Sequence, residues 1–421
     1  MKPLKFEVIK EIPGTLGRAG VVTTPHGIIQ TPAFVTVGTK ATVKALTPEQ
    51  VKSLGAQVVL ANTYHLYLEP GEQILNQAGG LHNFMNWPGP TMTDSGGFQA
   101  FSLGAAFGKG GVSKVARGEI ATESDNSRVF TPEGPYADKN FPDSPLAKID
   151  EDGVTFKSHI DGSEHRFTPE RSMEIQHHIG ADIMFAFDEC TSPQASYEYQ
   201  QEAMDRTHRW AKRSLDFHQQ SGQADKQALF GIVQGGRHQD LREESAKFIA
   251  SLNFDGFGIG GSFNKDDLST AVGWVNSILP KDKPRHLLGI GEVEDLFNGV
   301  ENGVDTFDCV MPTRMARNGT LQTASGRINI FNAQYKNDFT PIEEGCECYT
   351  CSPRHGGAGY TRAYLAHLFR SNEILANTLA SIHNLYFFIH LVDQMRDHIL
   401  TGTFQDFKNY FLSGIKKEER D

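Results

Sequence analysis

Cysteine is scarce in this 421-residue chain and its count of five is odd: Cys190, Cys309, Cys346, Cys348 and Cys351. Three of them fall within six residues. That pattern excludes a disulfide framework and predicts a metal site in a reducing, cytoplasmic compartment. No run of eighteen apolar residues occurs, so no membrane span is expected. The opening MKPLKFEVIKEIPG lacks the apolar core of a signal peptide. No fixed-period repeat is found. Positive charge is also short, with 40 Lys and Arg against 51 Asp and Glu and a net charge of −11. This argues against a general nucleic-acid coat protein but leaves room for a local basic groove. With 38% hydrophobic and 22% charged residues, the chain reads as a soluble globular protein. It is long enough for one large barrel or two to three ordinary domains.

What is present is alternation. Eight apolar runs, at 32–38, 58–64, 91–97, 181–190, 228–236, 254–261, 285–291 and 304–310, mostly have helical patterns between them. Near-continuous apolar runs suit strands buried on both faces of a parallel sheet. Eight such units predict a (β/α)8 barrel, an α/β fold. Thr47 caps the first helix, with Pro48 in its first turn. Residues 65–90 show no clear single helix. The early PHGIIQTP predicts a small hairpin over the barrel bottom. TFKSHIDGSEHRF at 155–167 predicts another, turning at Asp161-Gly162. Residues 104–150, rich in Gly, Ser, Pro and charge, form an expected long loop after strand three, either a lid or a tolerated insertion. The expected organisation is a barrel over 1–317 carrying this insertion, a zinc-binding subdomain over 318–392, and a helical segment over 393–421 that closes the barrel.

In such a barrel the C-terminal strand ends converge on one mouth. They carry Asn62, Asp94-Ser95, Asp188-Glu189, Gln234-Gly235-Gly236, Gly260-Gly261 and Asp308. A polar residue after a strand is more often a helix cap. Three aspartates and a glutamine ending separate strands nevertheless predict an acidic, hydrogen-bonding pocket for a flat, amide-rich heterocycle. Asp188 can accept from two adjacent N–H donors, Gln234 and the Gly261 N–H can read a ring carbonyl, and Phe98 either stacks on the ring or packs in the core. Asp94 and Asp308 can divide labour as in retaining glycosyl chemistry, one attacking an anomeric carbon and one moving a proton. After Asp308, FDCVMPTRMARNG predicts a loop whose Arg314 and Arg317 hold an anionic polymer, or simply a strand end with solvated arginines. Cys346-x-Cys348-x2-Cys351 predicts a structural zinc site. The fourth ligand is open among His355, His367, His383 and His390.

Taken together, TPAFVTVGTKATVKALTP, NTYHLYLEPG, TDSGGFQAFSL, FDECTSP, IVQGG, FDCVMPTRMARNG, CECYTC and NEILANTLASIHNL resemble the tRNA-guanine transglycosylase (queuine tRNA-ribosyltransferase) family, bacterial type, over about residues 5–400. The resemblance implies a (β/α)8 barrel with a zinc subdomain and replacement of the wobble guanine, position 34, in tRNAs with a GUN anticodon. The incoming base is a 7-deazaguanine. By matching motif it makes Asp308 the nucleophile that attacks C1′ and Asp94 the proton-transfer group. Ser95, Phe98, Asp188, Cys190, Gln234, Gly260, Gly261, Ser262 and Leu288 become base-pocket residues. Arg314 and Arg317 become tRNA contacts, and His383 becomes the histidine ligand beside Cys346, Cys348 and Cys351 for one Zn2+ per chain. A homodimer is also implied.

Three stretches depart from the family pattern. After Gly260-Gly261 the sequence runs Ser262-Phe263-Asn264-Lys265-Asp266, where the loop reads the 7-substituent. Residues 104–150 are longer than usual, and SPRHGGAG at 352–359 extends the metal loop. Cys190 fits the type that inserts preQ1. The competing expectations are a queuine-salvaging enzyme, a non-catalytic tRNA-binding subunit of a heterodimer, and an unrelated metal-assisted barrel hydrolase.

Overall fold

The computed structural model describes residues 2–100, 115–116, 147–193, 195–261, 263–264, 268–353 and 359–418. Eight parallel strands close into a barrel. They are β1 (Ala33–Val37), β2 (Val59–Ala61), β3 (Thr91–Thr93), β4 (Ile183–Phe185), β5 (Ala228–Val233), β6 (Gly256–Ile259), β7 (Arg285–Leu287) and β8 (Thr306–Asp308). Each lies within one of the eight apolar runs and is shorter than it, because the polar end of each run leaves the ladder to build the mouth. All six residues of β5 are buried, as two-sided packing requires. Every strand pairs with its neighbours in sequence except at the seam, where β8 meets β1 with Phe307 opposite Phe34 and Asp308 opposite Val35.

The helices form as their caps and apolar faces dictate. Thr47 makes a full capping box with Gln50 over Pro48–Ser53, satisfying donors that would otherwise be orphaned at a helix start. Thr168 caps Pro169–Ile179, and Ser196 caps Tyr197–Gln220. Residues 65–90 resolve into short helices, Thr63–Leu68, Glu72–Gln77 and Leu81–Met85. Glycines at positive φ precede the second and third: Gly71 at 99° and Gly80 at 100°.

The barrel bottom is capped by more than the expected hairpin. Arg18–Thr24 and Gly27–Thr31 pair antiparallel, and Lys5–Glu11 adds a third strand. Leu4, Val22 and Ile29 of this cap join Val35, Met92, Ile183, Phe185 and Phe230 in one buried cluster. Two buried carboxylates rivet it. Asp305 receives the Arg18 guanidinium at 2.7 and 3.0 Å, and Asp182 lies 2.7 Å from His26 Nδ1. The hairpin at 155–167 forms as Val154–Lys157 against Glu164–Phe167. Gly162 takes φ 76° at its tip, and Ala147–Ile149 lies alongside. Most of the 104–150 insertion lies outside the described residues. Its Val115–Ala116 pairs in parallel with Phe263–Asn264.

After β8 the chain forms helix Met311–Arg317, hairpin Thr320–Thr323/Gly326–Asn329, helix Arg362–Arg370, the 28-residue helix Ile374–Thr401 and helix Phe404–Glu418. The expected loop of guanidinium groups is thus a helix. Pro312 sits in its first turn, where it costs no hydrogen bond, and Arg314 and Arg317 stand one turn apart. Helix Ile374–Thr401 runs unbroken through position 392. By length and composition it could cross a membrane, but 67% of its apolar window is buried within the molecule. Phe388 stacks on Phe34 of β1 at 5.7 Å. Arg396 reaches the bottom cap, donating to Gly20 O at 2.8 Å and to Thr31 O.

Candidate active site and metal centre

Residues from the ends of β3 to β7 meet around one cavity at the barrel mouth. Asp94, Ser95, Phe98, Asp188, Cys190, Gln234, Gly260, Gly261 and Leu288 all line it. Ser262 lies outside the described residues, as do Lys265 and Asp266. Asp188 sits at the centre. Its Oδ1 accepts from the Ser95 hydroxyl at 2.8 Å, and its Oδ2 accepts from the Gln234 amide at 2.7 Å. These three buried side chains come from three strand ends and hold one another in a single orientation. A buried carboxylate with such partners retains lone pairs for a ligand's N–H groups. Cys190 is buried against the same cavity and Phe98 is half-buried on its wall.

Glu189 follows Asp188 but does not share its pocket. It turns outward to Arg206 and Tyr199, the latter donating at 2.6 Å. Behind the glycines stands Arg242, fully buried on helix Gln239–Ser251. It donates to Gly236 O at 2.8 Å and Gly260 O at 2.7 Å. Burial holds its guanidinium well below the usual range, at about 9. Gly261 has φ 108°, and a Cβ there would lie 2.2 Å from Arg242 Nη2. Glycine is therefore required by conformation and by space.

Asp94 is half-buried and accepts backbone N–H bonds from Thr63 at 2.9 Å and Gly96 at 3.2 Å, and the Asn62 amide. Asn62 also caps helix Thr63–Leu68 through the His65 N–H. Asp308 ends β8, buried, on the strand next to Leu288. Its Oδ1 accepts the Gly289 N–H at 2.7 Å and lies 3.1 Å from His286 Nε2. His286 escaped notice in the sequence because one histidine in RHLLGIG reads as an ordinary core residue. The available signal was alternation: 286 and 288 share a face, as do 306 and 308.

Arg314 is exposed beyond the mouth and Arg317 is half-buried. Burial, then Arg314, lowers the Arg317 guanidinium. Burial, then Arg317 and Lys40, lowers the Lys44 ammonium. Arg314, Arg317, Lys44 and Lys40 thus feel one another's charge, although Lys40 also pairs with Glu69 at 3.4 Å, a setting that favours a bound polyanion.

Cys346, Cys348, Cys351 and His383 come together with all four donor atoms within 4.8 Å of one another. His383 Nδ1 lies 3.8, 3.7 and 3.4 Å from the three sulfurs in that order. Its Nε2–H donates to Gln322 O at 2.7 Å, which leaves the Nδ1 lone pair for the cluster. Hydrogen bonds with Cys346 and Cys351 hold the Cys348 thiol below its usual range. The group could hold a metal ion. Of the other histidines, His367 packs beside Tyr364 and His390 on Tyr386, while His355 lies outside the described residues.

A closed parallel barrel whose strand ends present carboxylates to one cavity, followed by a Cys3His cluster that could hold a metal ion, defines a class of barrel enzyme. The family model for queuine tRNA-ribosyltransferase matches residues 14–134 and 110–417. A queuine tRNA-ribosyltransferase of Caldanaerobacter subterraneus subsp. tengcongensis is 46% identical over 415 residues, 98% of each chain. That of Bacillus subtilis is 44% identical over 414 residues, 98% of this chain and 96% of its own. That of Desulforamulus reducens is 44% identical over 413 residues, 97% and 98%. The chain belongs to the queuine tRNA-ribosyltransferase family of pentosyltransferases.

Proposed function

We propose that this protein exchanges guanine 34 of GUN-anticodon tRNAs for a 7-deazaguanine through a covalent ribosyl ester of Asp308. The observation that carries the reading is the locked Ser95–Asp188–Gln234 triplet in a cavity flanked by Asp94 and, on the next strand, Asp308. The triplet with Gly260 and Gly261 reads the donor and acceptor edge of the base, and Phe98 covers its face. A carboxylate oxygen of Asp308 forms a bond to C1′ while the C1′–N9 bond breaks and its electron pair leaves with guanine. Asp94 returns a proton to the departing guanine and takes one from N9 of the incoming base. That nitrogen then attacks C1′ and releases Asp308 as carboxylate, so the anomeric configuration is retained.

Arg314 and Arg317, with Lys40 and Lys44, hold the anticodon backbone. Cys190 favours preQ1 as the incoming base. Zinc fits the Cys3His group. Tetrahedral Zn–S and Zn–N bonds place sulfur and nitrogen about 3.6 Å apart, near the separations of 3.4–3.8 Å found here. With three thiolates and an imidazole no position stays open for water, so its role is structural. Residues 318–392 with this ion form the tRNA-facing lobe, and two copies of the chain share one tRNA.

The test is mass spectrometry of GUN-anticodon tRNA after incubation with guanine, preQ1 or queuine separately. Incorporation of preQ1 is expected, and Asp308→Ala should abolish it while the protein stays folded. Incorporation of queuine alone would make it a salvage enzyme. No exchange with any base would leave a tRNA-binding subunit.

A further inference from the structure

His286 is fully buried at the centre of β7, in register with Thr306 and next to Gly258 of β6. Its two ring nitrogens face two side chains of β8. Nδ1 lies 2.8 Å from the Thr306 hydroxyl, and Nε2 lies 3.1 Å from Asp308 Oδ1. The Phe185 ring of β4 packs against its face at 5.2 Å. Among these described contacts only Asp308 titrates; Phe185, Thr306 and Gly258 carry no ionisable group.

A threonine hydroxyl can donate to Nδ1, and a hydrogen bond at one ring nitrogen decides where the proton of a neutral imidazole sits. We propose that His286 is a positioning residue for Asp308: the carboxylate, which can only accept, fixes the proton on Nε2, and the Thr306 hydroxyl complies by donating to Nδ1. Resting on the ribosyl-ester reading above, His286 acts by clamping one carboxylate oxygen so that the other meets C1′. The Gly289 N–H shares Oδ1 at 2.7 Å, so two donors converge on one oxygen. Donors to a carboxylate favour its charged form. The pair therefore keeps Asp308 ionised for attack. It also stabilises the same carboxylate when the incoming base expels it in the second half of the reaction. Asparagine or glutamine could donate to Asp308 without a tautomer to set; phenylalanine fills the space and donates nothing.

The experiment measures exchange of labelled guanine into tRNA from pH 3.5 to 8 by wild type, His286→Phe and His286→Gln. Imidazole nitrogen NMR of the wild type is recorded alongside. His286→Phe should melt as wild type does yet lose about a hundredfold in kcat. Its acid limb should move up by about one pH unit, with KM for tRNA unchanged. His286→Gln should recover most of the loss and the original limb. The NMR should show the His286 proton on Nε2, and Thr306→Val, which removes only the Nδ1 partner, should leave it there. Equal losses in both His286 variants with an unmoved limb, or an Nδ1–H or doubly protonated ring, would overturn the proposal. Exchange that survives in Asp308→Asn would instead overturn the ribosyl ester itself while the tautomer persists.

Discussion

At the residue scale the candidate site depends on what surrounds each functional side chain. Asp188 and Glu189 are adjacent in sequence, yet one is locked into the cavity by Ser95 and Gln234 and the other is neutralised by Arg206 on the outer face. The sequence showed both acids at a strand end but not their directions, since alternation is lost once a strand leaves its ladder. Gly261 is the sharper case. Its positive φ and the Arg242 guanidinium behind it leave no room for a methyl group. Gly261→Ala should raise KM for the incoming base at least tenfold, because either the turn or Arg242 must move. KM for tRNA should hardly change. Steady-state kinetics with each substrate varied in turn checks this, and equal changes in both KM values would show that the turn serves the whole mouth.

At the element scale, the eight strands were legible because each is buried on both faces and leaves an uninterrupted apolar run. The cap strand Lys5–Glu11, KFEVIKE, was not, since it is mostly exposed and carries no core pattern. Helix Met311–Arg317 is too short to show a helical period, and Pro312 beside Thr313 imitates a turn although Met, Arg and Ala favour helix. The reach of helix Ile374–Thr401 to the barrel bottom through Arg396 leaves no mark in the sequence. Two predictions belong to this helix. Cys348→Ser removes one donor to the cluster that His383 completes, so the thermal midpoint should fall by 10 °C or more, on the order expected when a bound metal contributes folding energy. Bound zinc should drop from about one ion per chain. An unchanged midpoint would contradict a structural metal. Asp393, one turn before Arg396, is raised to about 6 by burial, then by Asp397, against a lowering by Arg396. A carboxyl raised in the folded state contributes stability at low pH that is lost as pH rises through that value. Asp393→Asn should therefore raise the thermal midpoint at pH 7.5, with the gain shrinking toward pH 5. Thermal scans across that range are the measurement, and a gain independent of pH would point to packing instead.

At the scale of the whole molecule, a net charge of −11 coexists with a chain of mutually repelling cations, Lys40, Lys44, Arg317 and Arg314. Composition alone hid that asymmetry, because steering follows local charge and not the sum. Arg314→Ala should weaken tRNA binding and flatten its salt dependence by about one unit of log–log slope, with base affinity unaltered. Filter binding at several salt concentrations decides it; an unchanged slope would place the tRNA elsewhere.

The seam between β1 and β8 has a consequence for how the chain is made. Asp308 finds its strand partner in Val35, and the cap beneath is clasped by Arg396. During synthesis the seam must wait until residue 308 of 421 has left the ribosome, and the clasp until residue 396 has. Contacts so distant in sequence are slow to form and leave apolar edges open meanwhile. Nascent chains stalled before residue 396 should therefore be the ones that engage chaperones, and shortening the tail by a few dozen residues should harm yield far more than the same deletion inside the 104–150 segment.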